Sequence, residues 1–208
     1  MRHTLLAIPL VIACGQATPP ATSSAPSPPP AAKAAPVEAT PKEAVAALIG
    51  TKPPEWQTER WLNSPPLTLA SLRGSVVLVR WWTSGCPYCS TTAPALRTFN
   101  REYAPRGLKV IGIYHHKEDT PFDPKVYEDT ARKYEFTFPI AFDPDWHTLQ
   151  AWMRDRNGNA VDTGWTSVTF VLDKHGVVRH VHSGGQYVDG DDAHAEIKAV
   201  IEKLLAET

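Results

Sequence analysis

The amino-acid sequence predicts an α/β domain in which a mixed central sheet is covered by helices on both faces. Two observations indicate this class. Short apolar, β-branched runs alternate with segments of helical periodicity, in the order β-α-β-α-β-α-β-β-α. The runs are nearly continuous in apolar residues, as expected for strands buried on both faces, and a tight turn joins the last two as an antiparallel hairpin.

The individual elements follow from local patterns. Residues 75–82 contain the run Val-Val-Leu-Val and predict a buried central strand, and residues 108–114 predict a second one. Residues 89–103 and 191–206 have apolar side chains at helical spacing, and Pro124 suits the first turn of a helix that extends to 134. Further elements are predicted at 41–49 (helix), 67–69 (strand), 139–142 (strand), 146–153 (helix), 168–172 (strand) and 177–182 (strand).

Composition divides the chain into two parts. Ten of the 20 prolines lie between positions 19 and 54, and the surrounding residues are mostly Ala, Ser and Thr. Such a segment cannot bury a core and favours extended conformations, so residues 14–52 are predicted to be a tether and residues 53–208 the folded domain. The charges nearly cancel, with 21 Lys and Arg against 22 Asp and Glu, which argues against a nucleic-acid partner.

The N-terminus predicts export. Residues 5–13 are apolar but too few to span a bilayer as a helix, so residues 1–13 are interpreted as a signal peptide. Residues 11–14 (VIAC) resemble the bacterial lipoprotein box, which implies that Cys14 becomes a lipid-modified N-terminus. The protein is then expected to be anchored to a membrane on the periplasmic side of the bacterial cell envelope. Under the alternative, an ordinary signal peptide, Cys14 is incidental and the protein is still exported.

The motif that carries chemistry is Cys86-Pro87-Tyr88-Cys89, which lies between a buried strand and a helix. With Cys14 lipidated, these two cysteines form the one remaining pair. A cysteine at a helix N-terminus is stabilised as a thiolate, attacks a disulfide and forms a mixed disulfide. A second cysteine one turn along then releases the reduced product. We therefore predict that Cys86 and Cys89 are the catalytic pair.

Two other interpretations of the pair stay open. A four-cysteine zinc site is excluded by the cysteine count. A site with two cysteines and two histidines would need histidines brought together by the fold, but His115 and His116 are neighbours that point to opposite faces of a strand. A purely structural disulfide is the other alternative, although so short a loop gives little stabilisation. We predict no metal and no cofactor.

Residues 72–89 (LRGSVVLVRWWTSGCPYC) resemble the opening of TlpA/ResA-like members of the thioredoxin superfamily. Pro94 falls where those proteins have a helix-kinking proline, and residues 170–178 (FVLDKHGVV) resemble their penultimate hairpin. Residues 110–116 (VIGIYHH) also resemble the thioredoxin-like domain of DipZ-type membrane reductases. The resemblance implies a thioredoxin fold and dithiol–disulfide exchange outside the cytoplasm, with protein disulfides or dithiols as substrates and a separate redox partner.

The sequence departs from this family at two positions. Ser167 stands where the family usually has a cis-proline facing the dithiol, and a serine is not expected to hold a cis bond, which costs about 2.5–4 kcal/mol. Arg80 stands where thioredoxins have a buried acid. A cation there would lower the pKa of Cys86 and favour the reduced form, so we expect a more oxidising protein than thioredoxin. Alternatively, Arg80 turns toward solvent or forms an ion pair.

The residues around the dithiol are assigned smaller roles. The predicted site-lining residues are Arg80, Trp82, Pro87, Tyr88 and Ser167. Thr83 is interpreted as a turn residue. The histidines at 115 and 116 are interpreted mainly as solvated loop residues, with one of them near the dithiol as the alternative.

The leading functional hypothesis is an exported thiol–disulfide oxidoreductase that acts on protein or small-molecule disulfides. One alternative is a copper-handling protein of the Sco-like kind, which would use Cys86, Cys89 and a histidine. The other is a thiol peroxidase, suggested by Thr83 three residues before Cys86. Sco-like proteins usually separate their cysteines by three residues, and peroxidases have a proline further upstream; this sequence has neither feature.

Overall fold

The computed structural model describes residues 40–207 and confirms the predicted α/β class. Its centre is a mixed sheet with the strand order β1-β4-β3-β2-β5-β6. The strands are β1 (Glu59–Leu62), β2 (Val76–Trp82), β3 (Leu108–Tyr114), β4 (Ile140–Phe142), β5 (Thr169–Leu172) and β6 (Val178–His182). The pairs β2–β3 and β3–β4 are parallel, whereas β1–β4, β2–β5 and β5–β6 are antiparallel.

Helices cover both faces of the sheet. They are α1 (Pro41–Ala46), α2 (Pro87–Tyr103), α3 (Pro124–Lys133), α4 (His147–Trp152) and α5 (Asp192–Ala206). Helices α2, α3 and α5 share a core with Val76 and Leu78 of β2, and helices α1 and α4 share the opposite core with Val77 and Val79. Alternate residues of β2 enter different cores because successive strand residues point to opposite faces.

The structure differs from the expectation at the start of the sheet. The first strand is β1, and the segment 67–69 is not a strand. Thr68 Oγ1 accepts a hydrogen bond from the Ser71 N–H (3.0 Å), and the Thr68 carbonyl accepts one from the Ser71 hydroxyl (2.7 Å), so the chain curls into a short 3-10 turn. Strand β1 is a short edge strand with two exposed residues, and such a strand lacks a clear apolar pattern.

The folded part of the chain begins before the expected boundary at residue 53. Val45 of α1 and Leu48 are 3% and 0% exposed, in the core that contains α4. The Gly50 N–H donates to the Val178 carbonyl (2.8 Å), and the Val178 N–H donates to the Thr51 carbonyl (2.9 Å). The tether expected over 14–52 is therefore too long, because its last residues bury apolar side chains and pair with the outer edge of β6.

The predictions for the N-terminus concern residues that the structure does not describe. The signal peptide at 1–13, the lipid on Cys14 and the tether as far as residue 39 lie outside the described residues, and they stay predictions. Within residues 40–207, no helix is both long enough and apolar enough to cross a membrane.

Candidate active site at the dithiol

Cys86 lies at the junction of β2 and α2. Three residues turn the chain after β2 ends, and Gly85 has a φ of +69°, in the left-handed region that favours glycine. Helix α2 then begins at Pro87, with Cys86 as its N-cap residue. The Cys86 sulfur accepts a hydrogen bond from the Cys89 backbone N–H (3.2 Å). The first thiol therefore occupies the place where free N–H groups and the helix dipole stabilise an anion.

The two cysteines differ in exposure and acidity. Both are free thiols in the described structure; Cys86 is partly exposed and Cys89 is 3% exposed. A hydrogen bond from the Cys89 thiol, backbone N–H groups of Cys89 and Tyr88, and the charge of Arg80 lower the pKa of Cys86 to about 6, against the effect of burial. The pKa of Cys89 is raised, because its thiol donates to Cys86 and because it is buried. This asymmetry suits Cys86 for attack and Cys89 for the second step.

Arg80 is buried in the middle of β2, with 1% of its surface exposed. Its guanidinium donates to Thr169 Oγ1 (3.1 Å) and to the Gly185 carbonyl (2.6 Å), and it lies 5.4 Å from the centre of the Tyr187 ring. Among residues 40–207 no carboxylate forms a salt bridge with Arg80, and its Nε has no hydrogen-bond partner. The alternative in which Arg80 faces solvent or forms an ion pair is therefore wrong.

Ser167 belongs to the loop before β5 and lines the same cleft as Cys86. Its hydroxyl oxygen accepts a hydrogen bond from the Gly185 N–H (3.3 Å), and the carbonyl of that glycine accepts one from Arg80. Every peptide bond in residues 40–207 is trans, including the one before Ser167. A chain of hydrogen bonds therefore connects the buried cation, through Gly185, to a loop beside the dithiol.

A cleft of about 380 Å³ opens beside Cys86. Three chain segments form it, because β2 has β3 on one side and β5 on the other. The lining residues are 83–88 after β2, 115 and 117 after β3, and 164–167 before β5. Pro87, Tyr88 and Ser167, three of the residues expected to line the site, lie along this cleft.

Trp82 and Arg80 do not line the cleft. Trp82 is 1% exposed and packs among aromatic rings, with its ring centre 5.0 Å from that of Tyr114 and 6.2 Å from that of Tyr127. Strand β2 is covered on both faces, so both of its final tryptophans, Trp81 and Trp82, are buried. The predictions that Trp82 and Arg80 line the site are therefore wrong, and the charge of Arg80 acts on the dithiol from within the core.

The cleft also contains Thr83, His115 and Lys117, so the alternative that placed one of the two histidines near the dithiol is the one that the structure supports. His115 is fully buried rather than solvated, and its ring packs edge-on against Trp146, with centres 5.0 Å apart. Burial lowers the pKa of His115 to about 3, and neither ring nitrogen has a hydrogen-bond partner in the described chain. Thr83, expected to be a turn residue, is buried in the cleft wall, whereas Lys117 is exposed there.

Two exposed aromatic side chains meet at the cleft. Tyr88 is 42% exposed and Trp165 is 40% exposed, and their rings are in edge-to-face contact with centres 5.2 Å apart. Trp165 packs directly on Gly184, where an added Cβ atom would lie 2.1 Å from the Trp165 Cβ. Trp165 was not among the residues expected at the site, although its position two residues before Ser167 places it in the loop that faces the dithiol.

Comparison with known proteins yields a family and several relatives. The model of the AhpC/TSA family matches residues 49–181, which is more than half of the chain. Protein DipZ of Mycobacterium tuberculosis (strain CDC 1551 / Oshkosh) is 32% identical over 144 residues, which cover 66% of this chain and 19% of DipZ. The thiol-disulfide oxidoreductase ResA of Geobacillus kaustophilus (strain HTA426) is 25% identical over 155 residues, which cover 74% of this chain and 80% of ResA. The chain thus spans about a fifth of the length of DipZ.

The solved structures identify the fold. The solution structure of a thioredoxin-like protein in the oxidized form matches with a TM-score of 0.61 at 24% identity, covering 77% of this chain and 98% of that one. This match confirms the predicted thioredoxin fold, and the ResA match confirms the resemblance to TlpA/ResA-like proteins. From the family model and these relatives together, the chain belongs to the AhpC/TSA family.

Proposed function

We propose that this protein is a thiol–disulfide oxidoreductase of the bacterial cell envelope, which exchanges its Cys86–Cys89 dithiol with the disulfides of other proteins. The observation that carries this proposal is the asymmetric thiol pair. Cys86 is partly exposed at the N-terminus of α2, and Cys89 is buried one turn later. The name of the relative ResA, a thiol-disulfide oxidoreductase, supports the same activity.

The reaction proceeds through a mixed disulfide. In the reducing direction, the Cys86 thiolate attacks one sulfur of the partner's disulfide; a bond forms to that sulfur, and the other sulfur leaves as a thiolate and takes a proton. The Cys89 thiol then loses its proton and attacks the Cys86 sulfur, which releases the partner's second thiolate. The protein ends as the Cys86–Cys89 disulfide, and the two electrons it loses reduce the partner. The oxidising direction is the reverse of these steps.

Arg80 favours the oxidising direction. Its positive charge acts on Cys86, and no carboxylate in residues 40–207 forms a salt bridge that would neutralise it. A dithiol whose reduced form is stabilised gives a more oxidising disulfide. We therefore propose that the redox potential is less negative than that of thioredoxin, which is about −270 mV.

An insulin-reduction assay with dithiothreitol tests the activity. The wild-type protein is expected to accelerate the reduction, and Cys86→Ser to abolish the acceleration, because no thiolate then attacks insulin. Cys89→Ser is expected to accumulate a mixed disulfide, because the second step is blocked. Circular dichroism spectra equal to that of the wild type would show that both variants are folded. Undiminished activity of folded Cys86→Ser would contradict the proposal.

The two alternatives predict other activities for the same protein. A copper-handling protein would bind copper stoichiometrically, but in the described residues no group of three or more His, Cys, Asp or Glu side chains is placed to hold a metal ion. A thiol peroxidase would consume peroxide through Cys86. We expect a copper titration and a peroxide-consumption assay to give weaker responses than insulin reduction, and a dominant response in either would favour that alternative.

We also propose that the protein is exported and held at a membrane, on the periplasmic side, by a lipid on Cys14. The support is the apolar sequence at 5–13 followed by a cysteine. Labelled palmitate is expected to be incorporated into the full chain expressed in a bacterium and to be absent from Cys14→Ser. Equal labelling of the two proteins, or recovery of the wild type in the cytoplasmic fraction, would contradict this part of the proposal.

A further inference from the structure

We propose that the cleft beside Cys86 selects an extended segment of a partner polypeptide whose half-cystine lies between a bulky apolar side chain and an acidic side chain. The apolar side chain would pack on Tyr88 and Trp165, and the acidic side chain would pair with Lys117. This inference rests on the proposed exchange function, because it names the substrate class of the same cysteine.

Exposed apolar surface is concentrated at the cleft. Within residues 40–207, the exposed large apolar side chains are Tyr88, Val126 and Trp165, and two of these three touch each other in the cleft wall. Tryptophan and tyrosine are the side chains that contribute most often to binding at protein interfaces, and contiguous apolar patches mark such interfaces. The aromatic pair lies on the same cleft as Cys86, so a partner that presents its disulfide there also meets this surface.

Trp165 is held firmly in its exposed position. It packs on Gly184, which has a φ of +132° and leaves no room for a side chain. The next residue, Gly185, donates its N–H to Ser167 and accepts a hydrogen bond from the buried Arg80, so the loops on both sides of this contact are fixed to the core. An aromatic surface that is already ordered loses little conformational entropy when it binds a partner.

The other side of the cleft carries one exposed lysine, with the carboxylate of Glu118 close by. Lys117 follows β3 and Trp165 precedes β5, and these strands flank β2 on opposite sides, so the two residues lie on opposite sides of Cys86. Lys117 is the one Lys, Arg, Asp or Glu among the described residues that line the cleft. The neighbouring carboxylate, Glu118, accepts a hydrogen bond from the Ser84 hydroxyl (2.9 Å) and forms no salt bridge with Lys117 in the described structure. The Lys117 ammonium lies 5.9 Å from the centre of the Trp146 ring and has no salt bridge among the described residues, so it can pair with a carboxylate of the partner.

An extended chain fits this arrangement better than a small disulfide does. Residues two positions apart in a strand point to the same face and lie about 6.6 Å apart, so a half-cystine in an extended segment has a same-face side chain two positions before it and another two positions after it. One flank can then reach the aromatic pair while the other reaches Lys117. A small disulfide that carries a single substituent cannot contact both sides at once.

Five short peptides test the preference in the wild-type protein. Each contains one cysteine in a mixed disulfide with 2-mercaptoethanol. The residues two positions before and two positions after the cysteine are Phe and Asp in either order, Phe and Lys in either order, or Ser at both, and Ser stands at the positions between. The measured quantity is the rate constant for release of the peptide thiol by the reduced protein. We expect the better Phe/Asp peptide to react about tenfold faster than the serine peptide and about threefold faster than its Phe/Lys counterpart, with the charge effect lost at high salt.

Three variants assign the preference to the two sides of the cleft. Trp165→Ala is expected to reduce the ratio of rates between phenylalanine and serine peptides to about one. Lys117→Glu changes an exposed residue and is expected to reverse the order of the Asp and Lys peptides. Val126→Ala is the matched control, because Val126 is exposed on α3 outside the cleft, and it should keep both preferences.

A disulfide without flanking side chains, bis(2-hydroxyethyl) disulfide, separates this inference from the proposed function. If the wild type reduces it but reacts equally with all five peptides, the docking proposal is wrong and the exchange function stands. If the wild type reduces neither this compound nor insulin, the exchange function itself is wrong. Preferences that persist in both Trp165→Ala and Lys117→Glu would also overturn the docking proposal.

Discussion

Two buried charges near opposite ends of strand β5 have different surroundings. Asp173 follows β5 and is 4% exposed; its carboxylate accepts hydrogen bonds from the N–H groups of His175 (2.8 Å) and Val177 (2.9 Å) and pairs with Arg179 Nε at 2.7 Å. Arg80, opposite the first residue of β5, is 1% exposed and donates to neutral oxygens. Within the described chain, only the carboxylate has a partner of opposite charge.

This contrast separates a structural charge from a chemical one. A buried charge without a counter-charge costs free energy. Asp173 is compensated inside the hairpin turn, so its expected role is to stabilise that turn. Arg80 receives an opposite charge only when a thiolate forms at the dithiol. The buried charge of Arg80 therefore destabilises the fold while the pair is a disulfide. Reduction of the pair lowers this unfavourable free energy, because the Cys86 thiolate supplies the opposite charge.

The largest expected effect is the loss of stability when the structural charge, Asp173, is removed. Asp173→Asn is expected to lower the free energy of unfolding by about 2–3 kcal/mol at neutral pH, because charged hydrogen bonds are lost and Arg179 loses its partner. Burial alone would raise the pKa of Asp173, but hydrogen bonds from Val177 and Arg179 hold it below 3.8. The lost stability is therefore present above that pH and disappears in acid as the wild-type carboxylate is protonated.

Urea denaturation measures the effect of this substitution. Asp119→Asn is the matched control, because Asp119 is exposed and belongs to none of the salt bridges of the described residues. The pH profile of Cys86 alkylation should be the same in Asp173→Asn as in the wild type. A shifted profile would contradict the division between a structural and a chemical charge.

The next effect concerns the chemical side. Arg80→Met keeps an apolar stem in the core but removes the cation, and it is expected to raise the pKa of Cys86 by about one. The redox potential should become more negative by roughly 30 mV. Alkylation across pH measures the first quantity, and equilibration with glutathione measures the second.

Arg179→Met is the matched control for Arg80→Met, because it removes a cation from the other end of β5. It should lower stability and leave the pKa of Cys86 unchanged. The interpretation of Arg80 fails if both arginine substitutions change the pKa of Cys86 equally, or if neither does.

The smallest expected effect is on the pH dependence of stability. The pKa of Cys86 is about 6 in the folded protein, below its ordinary value of 9.0, so the unfolded reduced chain binds more protons than the folded one between these pH values. The stability of the reduced protein should therefore rise with pH across this window, and this contribution is lost as pH falls to about 6. Because Cys86 is partly exposed, solvent screens its charge, and we expect a smaller rise than the difference between the two pKa values alone would give.

Urea denaturation of the reduced and the oxidised protein at several pH values measures this difference. The oxidised protein has no titrating Cys86 thiol and should lack the rise. Parallel curves for the two forms would contradict a thiolate at Cys86.

The central strand, the helix after it and the dithiol between them could be predicted from the sequence. Strand β2 and helix α2 follow from periodicities that depend only on neighbouring residues. The spacing of Cys86 and Cys89 places the second cysteine one helical turn after the first. The position of Arg80, six residues before Cys86, could also be read directly. The sequence pattern could not show which groups surround the Arg80 guanidinium, because one of its hydrogen-bond acceptors is Gly185, 105 residues away along the chain.

The remaining features depend on contacts between distant segments. Leu48 lies in an Ala-rich segment whose composition does not indicate burial. It is buried because this segment packs on the face of the sheet that also carries α4. The local sequence indicates that His115 is a loop residue, but the ring of Trp146 packs on it and it is buried. Trp165 becomes part of the site because β5 lies beside β2, which strand periodicity alone cannot show.

The segment that leads into the domain pairs with the start of the outer edge of β6. The Gly50 N–H donates to the Val178 carbonyl, and the Thr51 carbonyl accepts from the Val178 N–H. Without these bonds, both groups of Val178 would lack a partner on the outer edge of β6. An open strand rim is a template on which strands of other chains can add, and it is a common starting point for aggregation. Residues 50 and 51 thus occupy the start of this edge, where a strand of another chain could otherwise pair. A chain that begins at residue 53 is expected to lose this protection together with the buried side chains of Val45 and Leu48.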